Sequence, residues 1–135
     1  MQEQRNELAV ADITEKNAVS LTHNEILEYF SSLLFSPALP FGMPDCIKDN
    51  PEAKRIEQAM LEFREALKMA REGDFSYKIT AKGFIGGTLK GLQANLNHMT
   101  WLTRCVADGD LEQRMDFIGE FSSAFNSMTE RLSFA

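Results

Sequence analysis

TLKGLQANLNHMTWLTRCVAD, residues 88–108, reads as one amphipathic helix. Leu89, Leu92, Leu96, Met99 and Val106 follow a 3-4-3-7 spacing, with Thr103 at the skipped step. That is the a/d seam of a heptad, the pattern of a helix that lies along another helix. A Gly-Asp pair lies beyond each end, Gly73-Asp74 upstream and Gly109-Asp110 downstream. Glycine just past the last apolar turn takes the left-handed conformation that ends a helix. Aspartate after it favours a turn. The stretch is therefore a helix with a stop behind it, and the same stop stands ahead of it.

Two more seams flank it. Asn50-Pro51 has the form of an N-cap followed by proline at the first helical position. Ile56, Met60, Phe63, Leu67 and Ala70 then step 4-3-4-3 up to Gly73. Downstream, Phe121, Phe125, Met128 and Leu132 step 4-3-4. The predicted helices are 51–72, 88–108 and 119–134. Between the first two, Phe75, Tyr77 and Ile79 alternate with polar residues, as an extended segment does, and Gly83, Gly86 and Gly87 follow. This gives a first connector of fourteen residues, 74–87, and a second of nine, 110–118. The first reaches about 46 Å and the second about 30 Å when extended. A parallel helix after the second needs a climb of about 24 Å, which is taut. An antiparallel hairpin needs only a few loop residues.

The N-terminal third is less regular. Residues 1–19 are polar with weak periodicity and are expected to form a frayed helix or mobile arm. Thr22 and Glu25 match a capping box, with Ile26, Leu27, Phe30, Leu33 and Leu34 behind it. Pro37 sets the end near Phe35. Residues 36–51 hold all four prolines and form a linker. Its Leu39, Phe41, Met43 and Ile47 are expected to pack.

Composition narrows the classes. The chain has 135 residues, 44% of them hydrophobic and 25% charged, and a net charge of −6. That suits one domain or two small helical units. An acidic chain has no long-range attraction for nucleic acid or an anionic membrane. No apolar run approaches the roughly 18 residues of a membrane span. The polar start MQEQRNELAV is not a signal peptide, so the expectation is a cytoplasmic protein. Cys46 and Cys105 lack a partner motif and read as free thiols.

The order helix, Gly-Asp, connector, helix occurs twice. EALKMAREGDFSYKI (65–79) pairs with TRCVADGDLEQRM (103–115), and NLNHMT (95–100) with AFNSMT (124–129). Gly73 and Gly109 are 36 residues apart, and Asn97 and Asn126 are 29 apart. The difference of one heptad fits a deletion within a helix that preserves the seam.

ADGDLEQRM (107–115), GEFSSAFNSM (119–128) and Leu132 together resemble the HAMP domain, the helix–connector–helix relay of bacterial receptors. Residues 89–128 look more closely like the segment ahead of output domains, among them GGDEF diguanylate cyclases, and 27–37 resembles the start of such regions. The resemblance implies a dimeric signal-relay module that works beside an output domain of diguanylate cyclase or histidine kinase type. It marks Gly73, Asp74, Leu96, Met99, Gly109, Asp110, Glu120, Phe125 and Met128 as structural or relay residues. There are departures. These residues include no transmembrane helix of the kind a membrane-linked HAMP follows, Gly86-Gly87 replaces the acidic pair ahead of the second helix, and Asp116-Phe117 replaces it in the second copy.

Residues that tempt a chemical reading have plainer ones. A phosphoaccepting histidine is typically followed by an acidic residue, but Met99 follows His98. His23, Cys46, His98 and Cys105 lack metal-ligand spacing. The aromatics read as core, and Met60, Met99 and Met128 as adaptable packing. No Ser-His-Asp, paired-carboxylate or P-loop arrangement is present, and no catalytic, cofactor or metal site is expected. The sequence thus predicts an all-α chain with 1–50 as an N-terminal segment and linker. Residues 51–135 would form a HAMP-like tandem unit sharing the helix 88–108, paired as a parallel coiled-coil homodimer. The alternative is a monomeric four-helix bundle acting as a small-ligand sensor or adaptor.

Overall fold

The structure is a computed structural model that describes residues 2–134. It is all-α. The described residues hold four helices and no strand: α1 (Gln2–Phe35), α2 (Pro51–Arg71), α3 (Phe84–Ala107) and α4 (Gly119–Ser133). They divide into two compact units, Met1–Leu61 and Glu62–Ala135, so α2 contributes its first half to one and its second half to the other.

In the first unit α1 is one helix of 34 residues, and the expected cap at Thr22 is absent. Its hydroxyl instead donates to the Ala18 carbonyl, as that of Thr14 does to Val10. No Gly or Pro interrupts residues 2–35. Threonines that bond back to the carbonyl four residues earlier are compatible with a continuing helix. Residues 2–21 are exposed on every side. Packing begins with Tyr29 and Leu33, both buried. The Tyr29 phenol donates to the Glu57 carboxylate on α2. Burial, then that carboxylate, pushes the phenol pKa up to about 12, so it stays the donor. The Asn50 side chain caps α2 as expected, accepting from the Glu52 and Ala53 amides at 2.9 and 3.1 Å. In the linker Met43 and Ile47 are half-buried, but Leu39 and Phe41 are exposed rather than packed.

The second unit corrects the length of the first connector and keeps that of the second. Helix α3 begins at Phe84, not Thr88, so Gly86 and Gly87 are helical. The first connector is residues 74–83. It leaves α2 at Gly73 and meets it again at Glu62, which accepts from the Thr80 amide, the Thr80 hydroxyl and the Ala81 amide. It therefore runs back along α2. It also runs opposite to α3: Gln93 donates to the Tyr77 carbonyl and Asn97 to the Phe75 carbonyl. The two helices flanking it are parallel.

The second connector repeats this course. Phe117 stacks on His98 with ring centroids 4.7 Å apart, and Met115 is buried with Leu102. It climbs α3 by about eleven residues, or ~16 Å, well inside its ~30 Å reach. Helix α4 then descends beside it. Ser122 holds the Ile118 amide, Asn126 holds Met115, and Thr129 accepts from Arg114. So α4 is parallel to α3, and the antiparallel hairpin does not form. The climb is shorter than the sequence estimate because α4 starts beside His98.

A glycine decides where α3 begins. A Cβ at Gly86 would lie 2.2 Å from the Ala81 carbonyl oxygen, whereas at Gly87 nothing lies within 4 Å. Gly86→Ala is expected to destabilise the chain by about 1–3 kcal/mol through overpacking. Gly87→Ala should stabilise it by roughly 0.5–1 kcal/mol through the unfolded chain and helix propensity. Urea titrations that shift the two midpoints in the same direction would contradict this close approach.

Candidate functional site

The residues that arrange the second unit are the two Gly-Asp turns and the side chains that hold the connectors. Gly73 and Gly109 have φ of 85° and 92°, the left-handed region. At the first turn the Gly73 amide donates to Ala70 and the Asp74 amide to Met69. At the second, Gly109 donates to Val106 and Asp110 to Cys105. This is the Schellman arrangement, made twice at equivalent positions. Each aspartate then turns the chain away. Asp74 accepts from the Ser76 amide at 2.9 Å, and Asp110 from the Glu112 amide at 3.1 Å. The Ser76 hydroxyl and amide lower the Asp74 pKa from its ordinary 3.8.

Ile79 and Met115, also 36 residues apart, are the buried side chains of the two connectors. The Gly-Asp, Ile79 and Met115 positions thus keep one spacing. The pairing of Asn97 with Asn126 does not. Asn97 holds Phe75, whereas Asn126 clasps Met115 through both its amide and its carbonyl, at 2.9 and 2.8 Å. The two helix starts, Phe84 and Gly119, are 35 apart. The copies therefore differ by one connector residue, not by a heptad within a helix.

The remaining expected residues fall in two places. Met99 packs against a core of Leu102, Met115 and Phe125, with Val106 and Phe117. Leu96 is half-buried on the same seam. Met128 is exposed, beside an open cleft lined by Ala124, Ser127, Arg131 and Leu132. Glu120 is exposed in the first turn of α4, where its charge complements the helix dipole. His98 is exposed, packing between Phe117 and Trp101. Cys46 and Cys105 are free. Among the described residues no three ligand-type side chains gather as for a metal, and no helix is long and apolar enough to cross a membrane.

Glu62, Gln93 and Thr129 escaped the sequence reading. All three are buried polar side chains, and Glu62 is the only charged one among them. The signal was thin: a carboxylate inside AMLEF and an amide inside LQANL, next to the seams but not on them. Bonds from Thr80, despite some burial, hold the Glu62 carboxyl below its ordinary pKa of 4.5, assisted by the Ala81 and Thr80 amides and by Lys90.

Buried residues on α3 are Gly86, Gln93 and Leu102. The seams are split: Phe125 is buried and Leu96, Met99 and Val106 are half-buried. Ile85, Leu92, Phe121, Met128 and Leu132 are 43–62% exposed in the single chain. The connectors cover one face of each helix and leave the other positions of the heptad stripe, such as Leu92 and Phe121, open.

No family model, no curated protein and no solved structure matches the chain.

A depressed carboxyl pKa means that ionised Glu62 is bound more strongly in the fold than protonated Glu62. Its stabilisation is present above about pH 4.5 and is lost as pH falls through the lower folded value. Glu62→Gln should therefore lose less stability than the native chain between pH 6 and pH 3. Parallel losses for the two proteins, followed by circular dichroism in urea, would refute the carboxylate's role.

Proposed function

We propose that the chain is a non-enzymatic relay, a parallel homodimer that passes conformational change from an input to an output domain or partner. The carrying observation is a set of open heptad positions, Leu92 on α3 and Phe121, Met128 and Leu132 on α4, on helices that run parallel. These stand about half-exposed, while Met99, Val106 and Phe125 of the same seams pack around Met115 of the second connector. A second copy would cover those open positions. A stable pairing of that kind buries ~800 Å² per partner.

The repeated turns and return connectors favour the HAMP-like reading of the sequence over a self-contained bundle, whose core would be closed within one chain. In a relay, paired helices joined by held connectors have a small number of packed arrangements, and a push at one end selects among them. Methionines at the seam, Met60, Met99 and Met128, tolerate such repacking. The expected output partners are those implied by the resemblance, a diguanylate cyclase or histidine kinase type of protein, working in the cytoplasm.

Sedimentation equilibrium at micromolar concentration should give a dimer. Leu92→Glu, on the open stripe of α3, should weaken association by about tenfold or more, as burying an unpaired charge in an interface does, while leaving the helical signal unchanged. A native monomer, or a dimer indifferent to Leu92→Glu, would overturn this reading.

A further inference from the structure

We propose that the first connector, 74–83, is a joint that opens on its own, held shut by the Glu62 carboxylate, while the second connector stays closed. The two connectors share a turn and a course but are held by different forces. The second is clamped by an apolar core. Met115, Leu102 and Phe125 are buried together with Met99, Val106 and Phe117 around them. Phe117 stacks on His98, and Asn126 grips both backbone groups of Met115.

The first connector has only Ile79 buried among its own apolar side chains, with Phe75 and Tyr77 half-buried. Its far end depends on one side chain. Glu62 accepts from three donors on Thr80 and Ala81, and Thr80 is otherwise exposed. Ala81 in turn touches the first turn of α3. The Ala81 carbonyl occupies the place a side chain at residue 86 would take. Releasing the carboxylate thus frees the connector end and the start of α3 together. Nothing in that chain of contacts runs through Met115 or Asn126.

Segments with few buried apolar contacts open locally at lower free energy than the core. Each connector buries one apolar side chain, Ile79 or Met115, but it is Met115 that lies in the core with Leu102 and Phe125. The first connector is instead held by polar side chains, Gln93 and Asn97 at its near half and Glu62 at its far end. In a relay, the setting of α3 against the second half of α2 would be the adjustable joint, and that of α4 against α3 the fixed one. This use rests on the relay reading, but the local opening does not, since it is measured on residues 62–118 themselves.

Residue-resolved amide hydrogen exchange on the full chain tests it. In Glu62→Gln the Thr80 and Ala81 amides should exchange about tenfold faster or more, while those of Met115 and Ile118 stay near native rates. Asn126→Ala should do the reverse. Thr80→Val, which removes the hydroxyl donor but keeps both amides, should accelerate Ala81 in the same direction, and it carries the test if Glu62→Gln does not fold. Equal acceleration of both connectors in any of these variants, or none at residues 80 and 81 in Glu62→Gln and Thr80→Val, would overturn the proposal. A monomeric chain that still shows the selective pattern would sink the dimeric relay and leave the joint standing.

Discussion

The second unit depends on one constraint imposed twice: a glycine that takes positive φ, followed by an aspartate that turns the chain. At Gly73 and Gly109 an ordinary residue would be strained, since the left-handed region costs an L-residue roughly 1–2 kcal/mol. With glycine there, the last carbonyls of α2 and α3 are satisfied by the amides of the turn. The chain then heads back the way it came. Everything that follows, from the extended course of the connectors to the parallel setting of the helices, starts from that reversal.

Once reversed, the chain needs something to hold it against the helices. Two physical solutions appear side by side. One is a carboxylate gathering backbone donors, the other an apolar cluster with an amide clasp. Both leave part of the heptad stripes uncovered, Leu92 on α3 and Phe121, Met128 and Leu132 on α4. A helix with one face against its connector and another open to solvent has apolar side chains that a second copy would cover in the proposed pairing. That is the physical basis for reading the chain as a relay between copies and not as a closed bundle.

Much of this was legible in the residues. The Gly-Asp pairs, the Asn50 cap and the all-α class follow from local rules with short-range causes. The errors came where tertiary contacts decide. Capping at Thr22 was a local possibility outcompeted by an unbroken run of helix-compatible residues. The start of α3 was misplaced by three glycines that look like loop residues, although Gly86 is there because the Ala81 carbonyl leaves no room for a side chain. Asn97 and Asn126 share similar local sequence, but each is placed by the connector backbone it meets, which spacing does not reveal. Glu62 looked like a solvated charge, and only the folded-back connector gives it donors.

The central claim is that α4 runs parallel to α3. A nitroxide on Arg131→Cys, with Cys46 and Cys105 replaced by alanine, tests it directly through paramagnetic broadening of backbone amides. A parallel α4 places the label beside the last turn of α3, so Val106 and Ala107 should broaden while Leu96 and Asn97 remain sharp. Broadening centred on Leu96 and Asn97, with Val106 and Ala107 untouched, would mean that the chain folds back as a hairpin and would contradict the account.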